Sequence, residues 1–215
     1  MRVKDSELLI AEPHVRPGLP DAFALAYEFE ADSISPDGRF AVILPRGGSD
    51  FANEEALGRD FVVSLKPFQI LAANEGVYYR GTNGMGVEWS SDSSAVLVTL
   101  GGRWGTIGAT LFELRDGRVT RRTDLWGEMM KLVATKFPKG KVKPYNGIQL
   151  FTPDATDNWS FSKDGKQVSV ELDGNTAPNA APGLQWAVTF KGVWSVPEAK
   201  WIEHKVTSRT YRNGE

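Results

Sequence analysis

Ile34-Ser35-Pro36-Asp37-Gly38-Arg39-Phe40-Ala41-Val42-Ile43 is the stretch whose reading decides the fold. It sets a large apolar residue and a Ser before a tight turn around an Asp, then continues into a β-prone run. Pro36 fixes its own φ and Gly38 accepts a positive one, so residues 35–38 predict a β-turn between two strands. The same grammar returns as Trp89-Ser90-Ser91-Asp92-Ser93-Ser94-Ala95-Val96-Leu97-Val98, and again as Phe161-Ser162-Lys163-Asp164-Gly165-Lys166-Gln167-Val168-Ser169-Val170. Recurrence of one supersecondary unit marks a repeat architecture.

Working outward, each copy sits in a run of short strand signals. Residues 1–20 read as an irregular lead-in broken by Pro13, Pro17, Gly18 and Pro20. Phe23, Leu25, Tyr27 and Phe29 alternate, which predicts a half-buried strand over 23–29. Unit one then runs over 22–74, with returning strands at 40–44, 61–65 and 68–72. Unit two covers 78–123, with strands at 87–90, 95–100, 110–114 and 119–123, the last two joined by the hairpin signal Arg115-Asp116-Gly117-Arg118. Unit three covers 158–206 and ends on strands at 186–190 and 201–206. The interval between the second and third copies exceeds that between the first and second, and the surplus falls at 124–145. There the period becomes helical, with Trp126, Met129, Met130, Val133 and Phe137 on one face, Asp124 as N-cap and Pro138 as stop. The expectation is a single all-β domain: a propeller-like array of three four-stranded antiparallel units with one inserted amphipathic helix at about 125–137. An open β-meander or a sandwich is the alternative.

The Ser-Pro-Asp-Gly-Arg run at 35–39, Trp89-Ser90, and Phe161-Ser162-Lys163-Asp164-Gly165-Lys166 resemble the repeat of TolB-type β-propellers. The resemblance spans most of residues 22–206. Ile34 stands where that repeat has Trp, and Ser91 and Ser93 stand where it has Pro and Gly. It implies a fold rather than an activity, because function on such frames lives in the loops. Propellers close with four or more blades, and three leave sheet edges exposed. Pairing of two chains as a homodimer, cover from residues 1–29, or an open meander would each answer that.

Composition narrows the function classes. The 215-residue chain has a net charge of −2, which gives no electrostatic case for nucleic acid. It has no cysteine, so neither a disulfide nor a thiolate metal site is expected. Two histidines are too few for a histidine-rich site, and no Gly-x-Ser-x-Gly elbow occurs. No window approaches a membrane span, and the short apolar run Leu8–Ala11 is too brief for a signal peptide. A cytoplasmic protein is therefore expected, or a periplasmic or secreted one if a leader has been trimmed. No cofactor, metal, nucleic-acid partner or membrane insertion is expected.

Successive connections in a meander alternate between the two ends of the sheet. The short turns at 36–38, 66–67, 92–93, 115–118, 163–165 and 197–199 fall at one end. Longer connections at 45–60, 73–86, 101–109, 124–157 and 173–185 fall at the other. Binding residues concentrate on loops held by a rigid frame, so the long-connection end is the expected binding face. Arg103 and Trp104 in Gly101-Gly102-Arg103-Trp104-Gly105 are candidates for an anion and a stacked ring, with Tyr79 and Arg80 offering a similar surface. A plain structural hairpin is the favoured reading of 101–105, since no Gly-Lys-Ser/Thr run and no helix follow it. Asp50, Glu54, Glu55, Asp154 and Asp157 are loop carboxylates that read first as caps and solvated charges; paired carboxylates also serve glycosidases or bind calcium, but Asp154-Ala155-Thr156-Asp157 lacks the dense oxygen spacing of a calcium loop. Asp37, Asp92 and Asp164 read as turn formers, and Trp126 as free to face a partner. The functional expectation is a non-enzymatic protein-binding or scaffolding module. A carbohydrate-binding or glycan-cleaving protein using loop carboxylates and Trp104 is the alternative.

Overall fold

The computed structural model describes residues 18–46, 59–74, 85–102, 105–138, 149–151, 159–176 and 184–212. It is all-β, with three antiparallel sheets and two short helices, and none of the sheets closes on itself. Sheet A contains β1 (Tyr27–Ile34), β2 (Phe40–Pro45), β3 (Asp60–Leu65) and β4 (Phe68–Asn74) in sequence order. Sheet B contains β5 (Met85–Trp89), β6 (Ala95–Gly102), β7 (Gly105–Arg115) and β8 (Arg118–Asp124), again in order. Sheet C follows the path β10 (Trp159–Phe161), β11 (Gln167–Asn175), β12 (Leu184–Ser195) and β13 (Lys200–Arg212). A further strand, β9 (Gln149–Phe151), pairs with the far end of β11.

Each Asp-centred turn is built the same way. The Asp37 carboxylate accepts from the Ser35 hydroxyl at 2.8 Å and the Arg39 amide at 3.0 Å, while Ser35 Oγ accepts from the Phe40 amide at 3.0 Å. Asp92 accepts from Ser90 Oγ at 2.8 Å and the Ser94 amide at 3.0 Å, and Ser90 Oγ accepts from the Ala95 amide at 2.9 Å. Asp164 accepts from Ser162 Oγ at 2.6 Å and the Lys166 amide at 3.1 Å, and Ser162 Oγ accepts from the Gln167 amide at 3.0 Å. A Ser and an Asp two residues apart thus satisfy the orphan amides that the turn creates, as these side chains do best in turns. The turn's last residue lies in the left-handed region in all three: Gly38 at +69°, Ser93 at +60° and Gly165 at +69°.

The sheets pack face to face over two apolar layers. Phe40, Val42, Leu44 and Val62 of sheet A meet Met85, Val96, Val98, Leu100 and Phe112 of sheet B. Leu97, Ala109 and Leu111 on the opposite face of sheet B meet Val168, Val170, Leu172, Trp186 and Phe190 of sheet C. Alternation along β6 is what allows one strand to serve both layers. The inserted helix α2 (Leu125–Ala134) buries Leu125, Met129 and Val133 in the second layer, and Phe137 meets Trp186 edge-on at 5.3 Å. Asp124 caps it, accepting from the Gly127 amide at 2.9 Å, as its sequence position predicts.

Four readings are corrected. Residues 21–24 form a helical turn, α1 (Asp21–Ala24), and the strand begins only at Tyr27. The Phe23 and Ala24 amides bond to the Pro20 carbonyl at 2.7 and 2.9 Å, so the backbone bonds locally and Leu25 is left 82% exposed. The connection expected over 101–109 is shorter: β6 and β7 stay paired out to Gly102–Gly105, in keeping with the hairpin reading, and residues 103–104 lie outside the described residues. Trp126 is not free but half-buried, packed against the second core layer. Unit three also proves longer than 158–206, gaining β9 before it and extending β13 to Arg212.

Candidate functional site

At the short-turn end the repeats bond to one another. The Asp37 amide donates to Ser93 Oγ at 3.2 Å, and Ser91 Oγ donates to the Lys163 carbonyl at 2.9 Å. A Cβ placed on Gly165 would stand 2.9 Å from the Ser90 Cβ, so the third turn rests directly on the second. Farther out, Arg121 pairs through its guanidinium with Glu113 and also donates to the Val196 carbonyl, tying sheet B to sheet C.

The first strands of the three sheets lie next to one another, β5 contacting both β1 and β10. Trp89 of β5 donates its indole N–H to the Ser33 carbonyl of β1 at 2.7 Å. Glu88 of β5 accepts from the Phe161 amide of β10 at 2.9 Å. Around β5 lies a cleft of about 250 Å³, walled by Asp32, Met85, Glu88, Leu97, Thr99 and Trp159 among others. Asp32 belongs to the irregular part of β1, where the register with β2 shifts and φ is +57°. Trp159 is only 5% exposed, and among the described residues its Nε1, like those of Trp194 and Trp201, is buried without a hydrogen-bond partner. The Thr99 hydroxyl reaches the Gly86 carbonyl only at 3.4 Å. Gly86 keeps this space open, since a Cβ there would stand 2.5 Å from Thr99 Oγ1.

Other polar sets are of a different kind. Asp60 and Asn74, opposite one another in the β3–β4 ladder, are buried at the long-connection end of sheet A. Burial and the Asp60 carboxylate both push the Tyr27 phenol above its usual range. A broader depression of about 550 Å³ lies along β11–β13, with the Arg209 guanidinium 5.8 Å over the Tyr211 ring. It draws on sheet C alone, whereas the axial cleft draws on all three. Among the described residues, no three His, Cys, Asp or Glu side chains are grouped as a metal would need. Among the same residues, no helix is long and apolar enough to cross a membrane.

No protein-family model matches this chain, and no curated protein does.

Arg103, Trp104, Tyr79 and Arg80 all lie outside the described residues, as do Asp50, Glu54, Glu55, Asp154 and Asp157. The structure neither brings them together nor separates them. The repeated Asp37, Asp92 and Asp164 are placed as turn formers. Burial pushes the Asp37 carboxyl up, but donation from the Arg39 amide and guanidinium and the Ser35 hydroxyl outweighs it, leaving it below its ordinary value. Asp92 behaves likewise through Ser94 and Ser90, and Asp164 is lowered chiefly by Ser162 and the Lys166 amide.

Glu88 and Asp32 were not singled out by motif. The signal for Glu88 was present in β5, where Met85, Val87 and Trp89 pack into the first core layer. Gly86 and Glu88 alternate onto the other face, one small and one charged, which no core strand needs.

Proposed function

We propose that this chain is a non-catalytic protein-binding module, propeller-like in the arrangement of its three sheets, that engages its partner at the long-connection end and the axial cleft. The observation that carries this reading is the cleft at the first strands of the three sheets, about 250 Å³ in volume, whose wall carries Asp32 and Glu88. Concave sites with a few converging polar groups are where ligands and partners bind. The short-turn end is occupied by contacts between repeats, at Asp37–Ser93 and Ser91–Lys163. The TolB-like repeat and the longer connections at the opposite end support the reading.

The test is site-specific photocrosslinking with p-benzoyl-phenylalanine, placed at Arg59 on the long-connection end or at Lys166 on the short-turn end, both exposed. A discrete protein adduct in cells from the Arg59 position, absent from the Lys166 position, is expected. Equal labelling from both positions, or none from Arg59, would remove the reading.

A further inference from the structure

β13 ends the order of sheet C, and among the described residues it pairs with β12 alone. An edge strand turns the N–H and C=O of every second residue away from its sheet, and natural edges are blunted by shortness, proline or bulges. β13 has 13 residues and no proline, and its ladder with β12 runs from Glu203 to Arg212 without a register shift. Charge is what guards it. The strand carries Lys200, Lys205, Arg209 and Arg212 against one acid, Glu203, in a chain whose net charge is −2. Lys200 is paired with Glu198 at 2.7 Å. Lys205 stands opposite Lys191, whose ammonium is already paired with Glu171 at 2.5 Å. Arg209 lies 5.8 Å over the Tyr211 ring. Neither Lys205 nor Arg209 has a carboxylate partner among the described residues, and both are exposed. Four residues apart in a strand, they share one face. Such cations turn away a strand that lacks acids and admit one that carries them, so the same groups guard the edge and select its partner. A second copy of β13 would bring the same excess of cations. A nucleic-acid strand would need ring faces to stack on, and the rings of β13, Trp201 and Tyr211, are half-buried.

We propose that β13 is a strand-addition site for an extended acidic segment of a partner polypeptide, which pairs antiparallel with it and sets carboxylates four residues apart against Lys205 and Arg209. This surface is separate from the axial cleft and does not rest on it. Main-chain bonds to the open edge supply the affinity. The two cations supply the register, because a slip of one residue moves both carboxylates to the other face. The depression of about 550 Å³ is lined here by Thr189, Thr207 and Arg209, so a carboxylate arriving at Arg209 has room beside the ladder.

The test titrates the full chain, ¹⁵N-labelled, at low salt with blocked nonapeptides written to lie opposite Glu203–Tyr211. They are acetyl-Thr-Thr-Glu-Thr-Thr-Val-Glu-Thr-Lys-amide, the same peptide with Gln for both Glu, and two forms of the acidic peptide N-methylated on alternate residues in opposite phase. The acidic peptide is expected to shift the β13 amide resonances saturably and to bind about fivefold or more tighter than the Gln peptide, as two exposed ion pairs would give. One N-methylated form should bind and the other should not, because only one set of amides faces the edge. In the Lys205→Glu, Arg209→Glu double variant the preference should pass to the peptide with Lys for both Glu; that variant also relieves the Lys191–Lys205 opposition, so folding is not put at risk. No saturable shift, equal binding of the Gln peptide, equal binding of the two N-methylated forms, or a preference unmoved by the charge reversal would each overturn the proposal. If the titrations fail while the Arg59 photocrosslinks persist, the strand-addition site falls and the axial-cleft reading stands. If the crosslinks fail while the titrations succeed, the reverse holds.

Discussion

Gly38 and Gly165 share a φ of +69° but not their surroundings, and that difference makes the packing of the repeats measurable. A Cβ added at Gly38 meets nothing within 4 Å. Gly38→Ala should therefore cost only the left-handed backbone penalty, about 1 kcal/mol, partly offset by a stiffer unfolded chain. A Cβ at Gly165 stands 2.9 Å from the Ser90 Cβ and 3.4 Å from an Asp92 carboxylate oxygen. Those atoms belong to the neighbouring turn, held by its own hydrogen bonds, so they cannot simply rotate away. Gly165→Ala should add an overpacking cost of about 1–3 kcal/mol to the same backbone penalty, for a total of about 2–4 kcal/mol. The backbone and unfolded-state contributions are common to both variants and cancel in the comparison. Urea unfolding followed by tryptophan fluorescence gives the two midpoints, and unchanged m-values would license reading them as stability. Equal destabilisation by the two substitutions would refute the claim that the third turn rests on the second.

Four further outcomes follow from the same structure. Because Asp37, Asp92 and Asp164 are held below their ordinary values, their contribution is complete above about pH 4 and is lost as pH falls through the lowered folded values. The urea midpoint should accordingly drop below pH 4, and less steeply in Asp92→Asn. Arg121→Met should cost about 1–2 kcal/mol, since it strips a bidentate partner from Glu113 and a donor from the Val196 carbonyl; a change within error would mean the sheets B and C are not tied there. Asp124→Ala should cost about 1 kcal/mol by uncapping α2, while Asp124→Asn should largely restore it. Light scattering should give the mass of one chain. The outer face of sheet A is covered by Phe23, packed on Phe68 at 4.7 Å, and the outer face of sheet C sets Lys191 opposite Lys205. A stable dimer mass would show that one of these faces is shared.

The turns were the most legible part of the chain, because Ser and Asp two residues apart act through bonds confined to a few residues. Ser93 was harder to see, as its left-handed φ is one that Gly usually signals and its hydroxyl is used by the Asp37 amide of another repeat. Alternation misled at Phe23 and Leu25. The spacing is that of a strand, yet no neighbouring strand bonds to residues 21–24, and the Pro20 carbonyl takes their amides instead. Gly101, Gly102 and Gly105 read as loop from composition, but pairing of Gly101 with Thr106 and Gly102 with Gly105 keeps them in the ladder. Gly192 carries a similar tertiary cause: a Cβ there would stand 2.7 Å from the Phe190 ring and 2.9 Å from that of Trp201. The axial cleft was legible only as the odd face of β5. Its walls come from strands remote in sequence, which local periodicity cannot bring together.

The central claim is that the short-turn end locks the three sheets together and leaves the opposite end to bind. A chain without cysteine makes that directly testable. In a Ser91→Cys, Lys163→Cys double variant carrying the Arg59 photocrosslinker, mild oxidation should form a disulfide across the second and third turns, where Ser91 Oγ lies 2.9 Å from the Lys163 carbonyl. The locked protein should label its partner as well as the reduced one does. A disulfide that abolished labelling would contradict the division between the two ends.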